Sequence, residues 1–236
     1  MTVLVLFDID GTLLRAGDPV HTQAMETALR EVFGVPATLD GVPLGGMLDR
    51  QIARLALAPH QVDPTTLDEG LAECMDRLGR HYRSLVAPTE RRSWLLPGVA
   101  GLLEALARDR RALVGTLTGN AEGVGRHKLM AAGLDGLVRV GAWGCEADDR
   151  ADLVPLARGR ATEVLGGSEP TSTLLIGDTP RDVDAAHDAG CPIIAVATGR
   201  WSVADLASAG ADEVLDDLTT ESALLARLID AAAHPG

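Results

Sequence analysis

The sequence predicts an α/β protein: a parallel sheet in a three-layer sandwich, with an all-helical cap domain inserted after the first strand. Three observations carry this. Short apolar runs rich in Val, Leu and Ile recur without polar alternation, as expected of strands buried on both faces of a parallel sheet. Between them lie stretches whose apolar residues repeat at helical spacing. One block, residues 16–92, holds helical patterns and no convincing strand.

Strands are expected at 3–7, 112–117, 137–140, 173–176 and 193–197, with a weaker one at 213–215. Helices are expected at 99–108, 121–132, 152–165, 183–189 and 203–209. This alternation makes the core Rossmann-like and divides the chain into a core of 1–15 and 93–236 and a cap of 16–92, with hinges at 14–18 and 91–98. Within the cap, 21–33 places Ala24, Met25, Ala28, Leu29, Val32 and Phe33 on one helical face, and 67–86 does so with Leu71, Cys74, Met75, Leu78 and Tyr82. Gly34, Pro36, Gly41, Pro43, Gly45 and Gly46 punctuate the stretch between them.

A chain of 236 residues can bury a substantial core, and 46% apolar with 23% charged residues is ordinary globular usage. A formal charge of −13 argues against nucleic acid and anionic membranes as partners, and it obliges any anionic substrate to find a local positive site. Cys74, Cys145 and Cys191 are odd in number and lack metal-ligand spacing. No apolar run approaches the ~18 residues of a membrane helix. Met1 runs almost directly into the first strand without a charged leader, the pattern expected of a cytoplasmic protein. Lys128 is the single lysine among 21 basic residues, which marks it as a candidate for a site needing a compact ammonium.

Open α/β sheets bind ligands beyond the carboxyl ends of their strands. There the chain offers Asp8-Ile9-Asp10-Gly11-Thr12 after the first strand, Thr118-Gly119-Asn120 after the second, and Gly177-Asp178-Thr179-Pro180-Arg181-Asp182 after the fourth. Four carboxylates brought to one edge repel one another. A hard divalent cation relieves that repulsion, and oxygen-only ligands favour Mg²⁺. Such a site accepts a phosphoryl group and leaves one carboxylate free to attack phosphorus. Each motif also has a plainer use: Asp8 or Asp10 can be a helix N-cap or a turn residue, Asp178 and Asp182 can cap a helix beginning near Asp182, and Thr118-Gly119-Asn120 can be an ordinary strand-to-helix turn.

These three motifs, in this order and with a helical block between the first two, resemble those of the haloacid dehalogenase-like hydrolase superfamily, in particular its phosphoglycolate phosphatase and β-phosphoglucomutase-like subgroup. The resemblance implies that Asp8 attacks phosphorus and that Asp10 protonates the leaving oxygen and then activates water. It implies that Mg²⁺ is held by Asp8, the Asp10 main-chain carbonyl and Asp178, with Asp182 acting directly or through water. It implies that Thr118 holds a phosphoryl oxygen beside Gly119 and Asn120; Thr12 reads as a support for the loop geometry. The expected substrate is a small phosphorylated metabolite.

The sequence departs from the commonest pattern in having no lysine after the third strand, where Gly144–Arg150 stand. Lys128, on the helix after the second motif, is the expected counter-charge, with Arg150 as the fallback or else ion-paired within its own acidic run. In the cap, Gly46, Asp49 and Arg50 are candidate substrate contacts, Arg50 for an anion and Asp49 for a hydroxyl. His21 reads as a cap surface or packing residue, the acidic 146–152 run as a solvated loop, and Trp94, Trp143 and Trp201 as hinge and loop packing. Asp10 favours phosphate over halide chemistry, and the absence of any lysine between 13 and 127 disfavours a Schiff-base hydrolase. A phosphosugar mutase and a non-catalytic binding protein on the same fold remain as alternatives.

Overall fold

The computed structural model describes residues 2–219, so the end of the expected core, 220–236, lies outside the described residues. Six strands form one parallel sheet: β1 (Val3–Phe7), β2 (Ala112–Thr118), β3 (Val140–Trp143), β4 (Ser172–Gly177), β5 (Ile193–Val196) and β6 (Glu213–Leu215). Their order is β3-β2-β1-β4-β5-β6. β1 lies between β2 and β4, with Phe7 in register with Thr116 on one side and Ile176 on the other. Successive strands run outward from β1 in both directions. The crevice of such a sheet therefore opens at the carboxyl end of β1, where Asp8 stands.

All five residues of β1 are buried, as its unbroken apolar pattern requires. Val3, Val5 and Phe7 pack with α4 (Val99–Arg108) and α5 (Glu122–Ala132), whereas Leu4 and Leu6 pack with α6 (Leu153–Val164), α7 (Pro180–Asp188) and α8 (Val203–Ser208). These are the three layers.

Two expected elements are displaced along the chain. The third strand is Val140–Trp143, since Leu137 and Val138 both donate to the Leu134 carbonyl and so close a turn. Gly141 and Ala142 have low strand propensity, and pairing with β2 overrides it. Trp143 is a buried strand residue whose ring covers Gly141, where a Cβ would come within 2.2 Å. The α7 helix begins at Pro180, three residues before the expected start, because Thr179 caps it.

Between β1 and β2 lie α1 (Pro19–Phe33), α2 (Asp49–Leu57) and α3 (Pro64–Leu85). The sequence pattern did not reveal α2. It has only nine residues, and its buried stripe of Ile52, Ala53, Ala56 and Leu57 sits between glycine and proline clusters. The three helices share a core built around Ala24, Met25, Leu29, Ala53, Cys74 and Leu78, to which Ala121, Val124 and Ala131 of the core side also contribute. Helix α3 lies against α5 with Gly79 on Gly123, where a Cβ on Gly79 would fall 2.8 Å from the opposing Cα.

A buried ion pair joins the two chain crossings. Asp18 caps α1 by accepting from Val20 N, accepts from Tyr82 Oη at 2.6 Å, and accepts from Arg91 Nε and Nη2 at 3.1 Å each. Burial pushes the Asp18 carboxyl up, but the Tyr82 hydroxyl, Lys128 and Arg91 outweigh that and hold it below the usual range. Its contribution to stability is therefore present above the ordinary carboxylate pKa and is lost as pH falls through the lowered one. Arg91→Ala leaves Asp18 buried without its cation, so urea unfolding is expected to show a loss of about 3–5 kcal/mol.

Candidate active site

A cavity of about 390 Å³ opens where β1, β2 and β4 end and α1 and the loop before α2 face them. It is lined by Asp8, Asp10, Thr118, Asn120, Lys128 and Asp178 from the core, among others. The cap side contributes Asp18, His21, Met25, Gly46, Met47 and Asp49.

Carboxylate oxygens of Asp8, Asp178 and Asp182 all lie within 4.8 Å of one another. Burial pushes the Asp8 carboxyl up to about 6; Arg150 opposes this, and Asp182 and Asp10 reinforce it. Burial, Asp182 and Asp8 push Asp178 up to about 9. Two groups raised by burial and mutual repulsion mark a place short of positive charge. Asp8 Oδ1 lies 3.1 Å from Arg150 Nη2 but accepts no aligned hydrogen bond. The donor set is oxygen-only, buried and under-neutralised, which fits a hard divalent cation.

The loops hold Asp178 closely. A Cβ on Gly11 would meet Asp178 Oδ2 at 2.2 Å, and Gly11 also has φ +95°, so glycine is required there on both counts. Thr12 Oγ1 donates to Asp178 Oδ1 at 3.4 Å, and Thr198 Oγ1 donates to the Gly11 carbonyl at 2.6 Å. Asp182 caps the helix, as its position allowed, and also pairs with Arg150. Its Oδ2 accepts from Thr179 N and Oγ1 in a capping box, while its Oδ1 accepts from Arg150 Nη2 at 2.6 Å.

Asp10 has different neighbours. Its carboxylate accepts from Lys128 Nζ at 2.8 and 2.6 Å and from Asn120 Nδ2 at 2.8 Å. Burial pushes this carboxyl up, but Lys128, His21 and Asn120 outweigh it and hold it below the usual range. The two carboxylates of one motif are thus driven in opposite directions. Thr118 Oγ1 accepts from Asn120 N and Nδ2, which leaves its own proton free for a ligand oxygen.

The two basic candidates divide between the two acids. Lys128 is buried and touches Asp10 and Asn120 Oδ1, not Asp8. Arg150 pairs with Asp8 and Asp182 rather than with its acidic sequence neighbours, and it donates through Nη1 to the Gly46 carbonyl at 3.3 Å. The acidic run is only partly solvated: Glu146 accepts from Trp143 N and pairs with Arg160.

The cap residues also sort themselves. Asp49 is buried; its Oδ2 accepts from Ala121 N at 2.6 Å and lies 3.1 Å from His21 Nε2. Its own N–H donates to the Gly119 carbonyl, so the loop before α2 is bonded to the turn after β2. Gly119 has no room for a side chain, because a Cβ would sit 2.0 Å from the Met47 carbonyl oxygen. His21 packs edge-on against Tyr82, with ring centroids 6.0 Å apart. It also lines the cavity, with Nδ1 3.3 Å from Lys128 Nζ. Arg50 does not line the cavity; its guanidinium turns to Asp148 at 3.5 Å. The sequence reading missed Arg200, which follows β5 and lines the cavity. The strand-end rule that found the other motifs, applied to Thr198-Gly199-Arg200, points to it.

Cys74, Cys145 and Cys191 are free thiols. Among the described residues no helix is long and apolar enough to cross a membrane.

Residues 151–220 match a HAD-hydrolase-like family model. A phosphoglycolate phosphatase of Rhodospirillum rubrum is 32% identical, covering 93% of this chain and 89% of the relative. Two solved structures share the fold. One is β-phosphoglucomutase from Clostridium difficile, with a TM-score of 0.69 at 14% identity, covering 99% of this chain and 100% of that one. The other is CbbY from Rhodobacter sphaeroides in complex with phosphate, with a TM-score of 0.67 at 22% identity, covering 93% and 96%. With its motifs at the ends of β1, β2 and β4 and a relative of this similarity along nearly its whole length, the chain belongs to the haloacid dehalogenase-like hydrolase superfamily and is one of its phosphatases.

Proposed function

We propose that the chain hydrolyses a small phosphomonoester of the phosphoglycolate class by way of a phosphoryl group carried on Asp8. The observation that supports this most is the state of Asp8. It is buried, lacks an aligned hydrogen bond at Oδ1, and lies among two further carboxylates and one guanidinium at the carboxyl end of the central strand.

Asp8, the main-chain carbonyl of Asp10, Asp178 and Asp182 would hold Mg²⁺. When bound, it neutralises the carboxylates and the incoming phosphoryl group. Asp8 attacks phosphorus, an Asp8–phosphorus bond forms, and the bond to the leaving oxygen breaks. At rest Asp10 is held ionised by Lys128. A phosphate dianion beside it raises its pKa, so that it can carry a proton to the leaving oxygen. As a carboxylate again, Asp10 takes the proton of the water that attacks phosphorus and frees Asp8. Thr118 donates to a phosphoryl oxygen, with Gly119 and Asn120 shaping the same turn. Arg150 stands against Asp8 and so meets the transferring group, while Lys128 keeps Asp10 in place. Residues 16–92 act as the cap domain, which closes over the cavity and brings Gly46 and Asp49 to the substrate.

Inorganic phosphate release from a panel of phosphorylated metabolites tests this reading. Phosphoglycolate or a close analogue is expected to be turned over, with loss on chelation and recovery with Mg²⁺. Conversion of a sugar monophosphate to its isomer without phosphate release would instead indicate a mutase. Metal binding has a separate readout. At a Mg²⁺ concentration of ~100 times Kd, the folded state gains about 2.7 kcal/mol by mass action, seen as a rise in Tm.

A further inference from the structure

Among the described residues three Lys or Arg side chains line the cavity, and two of them are already paired. Lys128 is bonded to Asp10, and Arg150 to Asp8 and Asp182. Among the described residues, Arg200 is the cavity-lining cation with no carboxylate within ion-pair distance. Its guanidinium carbon lies 5.1 Å from the Trp201 ring centroid, which preorganises the planar group without neutralising it.

The loop that carries Arg200 is fixed to the active centre. Thr198 Oγ1 donates to the Gly11 carbonyl at 2.6 Å, and Gly199 packs so closely on Asp178 that a Cβ would fall 1.8 Å from Oδ2. On the cap side, Arg200 Cδ comes within 3.8 Å of where a Gly45 side chain would begin. Arg200 thus bridges the core edge and the cap loop, one residue away from the contact with Asp178. The cap arginine expected to read a substrate anion, Arg50, is engaged by Asp148 outside the cavity. With a chain charge of −13, an anion that enters needs a local unpaired cation.

Resting on the phosphatase reading above, we infer that Arg200 is the specificity-determining residue for a second anionic group on the substrate. That group is a carboxylate or phosphate at the end remote from the phosphoryl group that Asp8 receives. An arginine fork matches either anion through paired N–H donors. Substrates with a neutral tail leave Arg200 unused and bind more weakly.

Two matched pairs test this: phosphoglycolate against hydroxyethyl phosphate for a carboxylate, and a sugar bisphosphate against its monophosphate for a phosphate. Binding is measured by calorimetry in the Asp8→Asn background, where no turnover intervenes, and kcat and KM are measured with Asp8 present. Arg200→Gln is expected to reduce the preference for the anionic member of at least one pair by about 10–100-fold, mainly through KM. The pair affected identifies the anion. Arg200→Lys is expected to retain part of the preference, because charge survives and the fork does not. An unchanged preference in Arg200→Gln, or an equal loss on both members of each pair, overturns the assignment. Failure of the phosphatase reading is distinct: no phosphate would be released from any of the four compounds, while the calorimetric arm still measures Arg200.

Discussion

Asp8→Asn is expected to lower kcat by on the order of 10⁴-fold or more while leaving the fold intact. An amide oxygen is a poor nucleophile toward phosphorus, and no neighbouring carboxylate can replace Asp8 without moving. Asp178 is enclosed by Gly11 and Gly199, and both oxygens of Asp182 are engaged. The substitution should be mild for stability. It removes one of the charges that raise Asp178, and Arg150 keeps its bond to Asp182. Circular dichroism and Tm close to wild type, with phosphate release reduced to background, are the combined expectation. Substantial residual turnover would remove Asp8 from the nucleophile role.

The two basic residues should fail differently. Arg150→Ala takes a cation from beside Asp8 and Asp182, and a loss in kcat on the order of 10²–10³-fold is expected from lost neutralisation at the transferring group. The same change leaves the acidic cluster more negative, so Mg²⁺ should bind more tightly in the absence of substrate. Calorimetric titration measures that sign. Lys128→Ala acts through Asp10, with a loss on the order of 10²-fold. Lys128 holds the Asp10 carboxyl low, so its removal lets that pKa rise. The acidic limb of the pH–rate profile, where Asp10 must be ionised to activate water, should then move to higher pH. A Lys128→Ala profile parallel to wild type would separate Lys128 from Asp10 function.

What was legible in the sequence followed from strong local signals. The β1 strand is an unbroken apolar run, and the motifs after β1, β2 and β4 obey the strand-end rule, which puts Asp8, Asp10, Thr118 and Asp178 at one sheet edge; all four line the cavity. The parallel order of the sheet followed from strand–helix alternation. Other features depended on tertiary contacts. Gly141 and Ala142 become strand through pairing with β2. The α2 helix is short, and its buried stripe gains meaning only against α1 and α3. Arg150 sits in an acidic run, so local sequence suggested local pairing, whereas folding carries it to Asp8 and Asp182. Arg50, in the first turn of α2, and Arg200, in the loop after β5, each stand near glycine. Only the packing of α2 and of that loop sends the first to Asp148 and the second into the cavity.

The central claim is that Asp8 carries the phosphoryl group. Acid quench during steady-state turnover of phosphoglycolate, followed by borohydride reduction and peptide mass spectrometry, tests it directly. An acyl phosphate is reduced to the alcohol, so the account predicts homoserine at position 8, dependent on substrate and absent without Mg²⁺. Reduction at another carboxylate, or none at any position in an enzyme that is turning over, would contradict it.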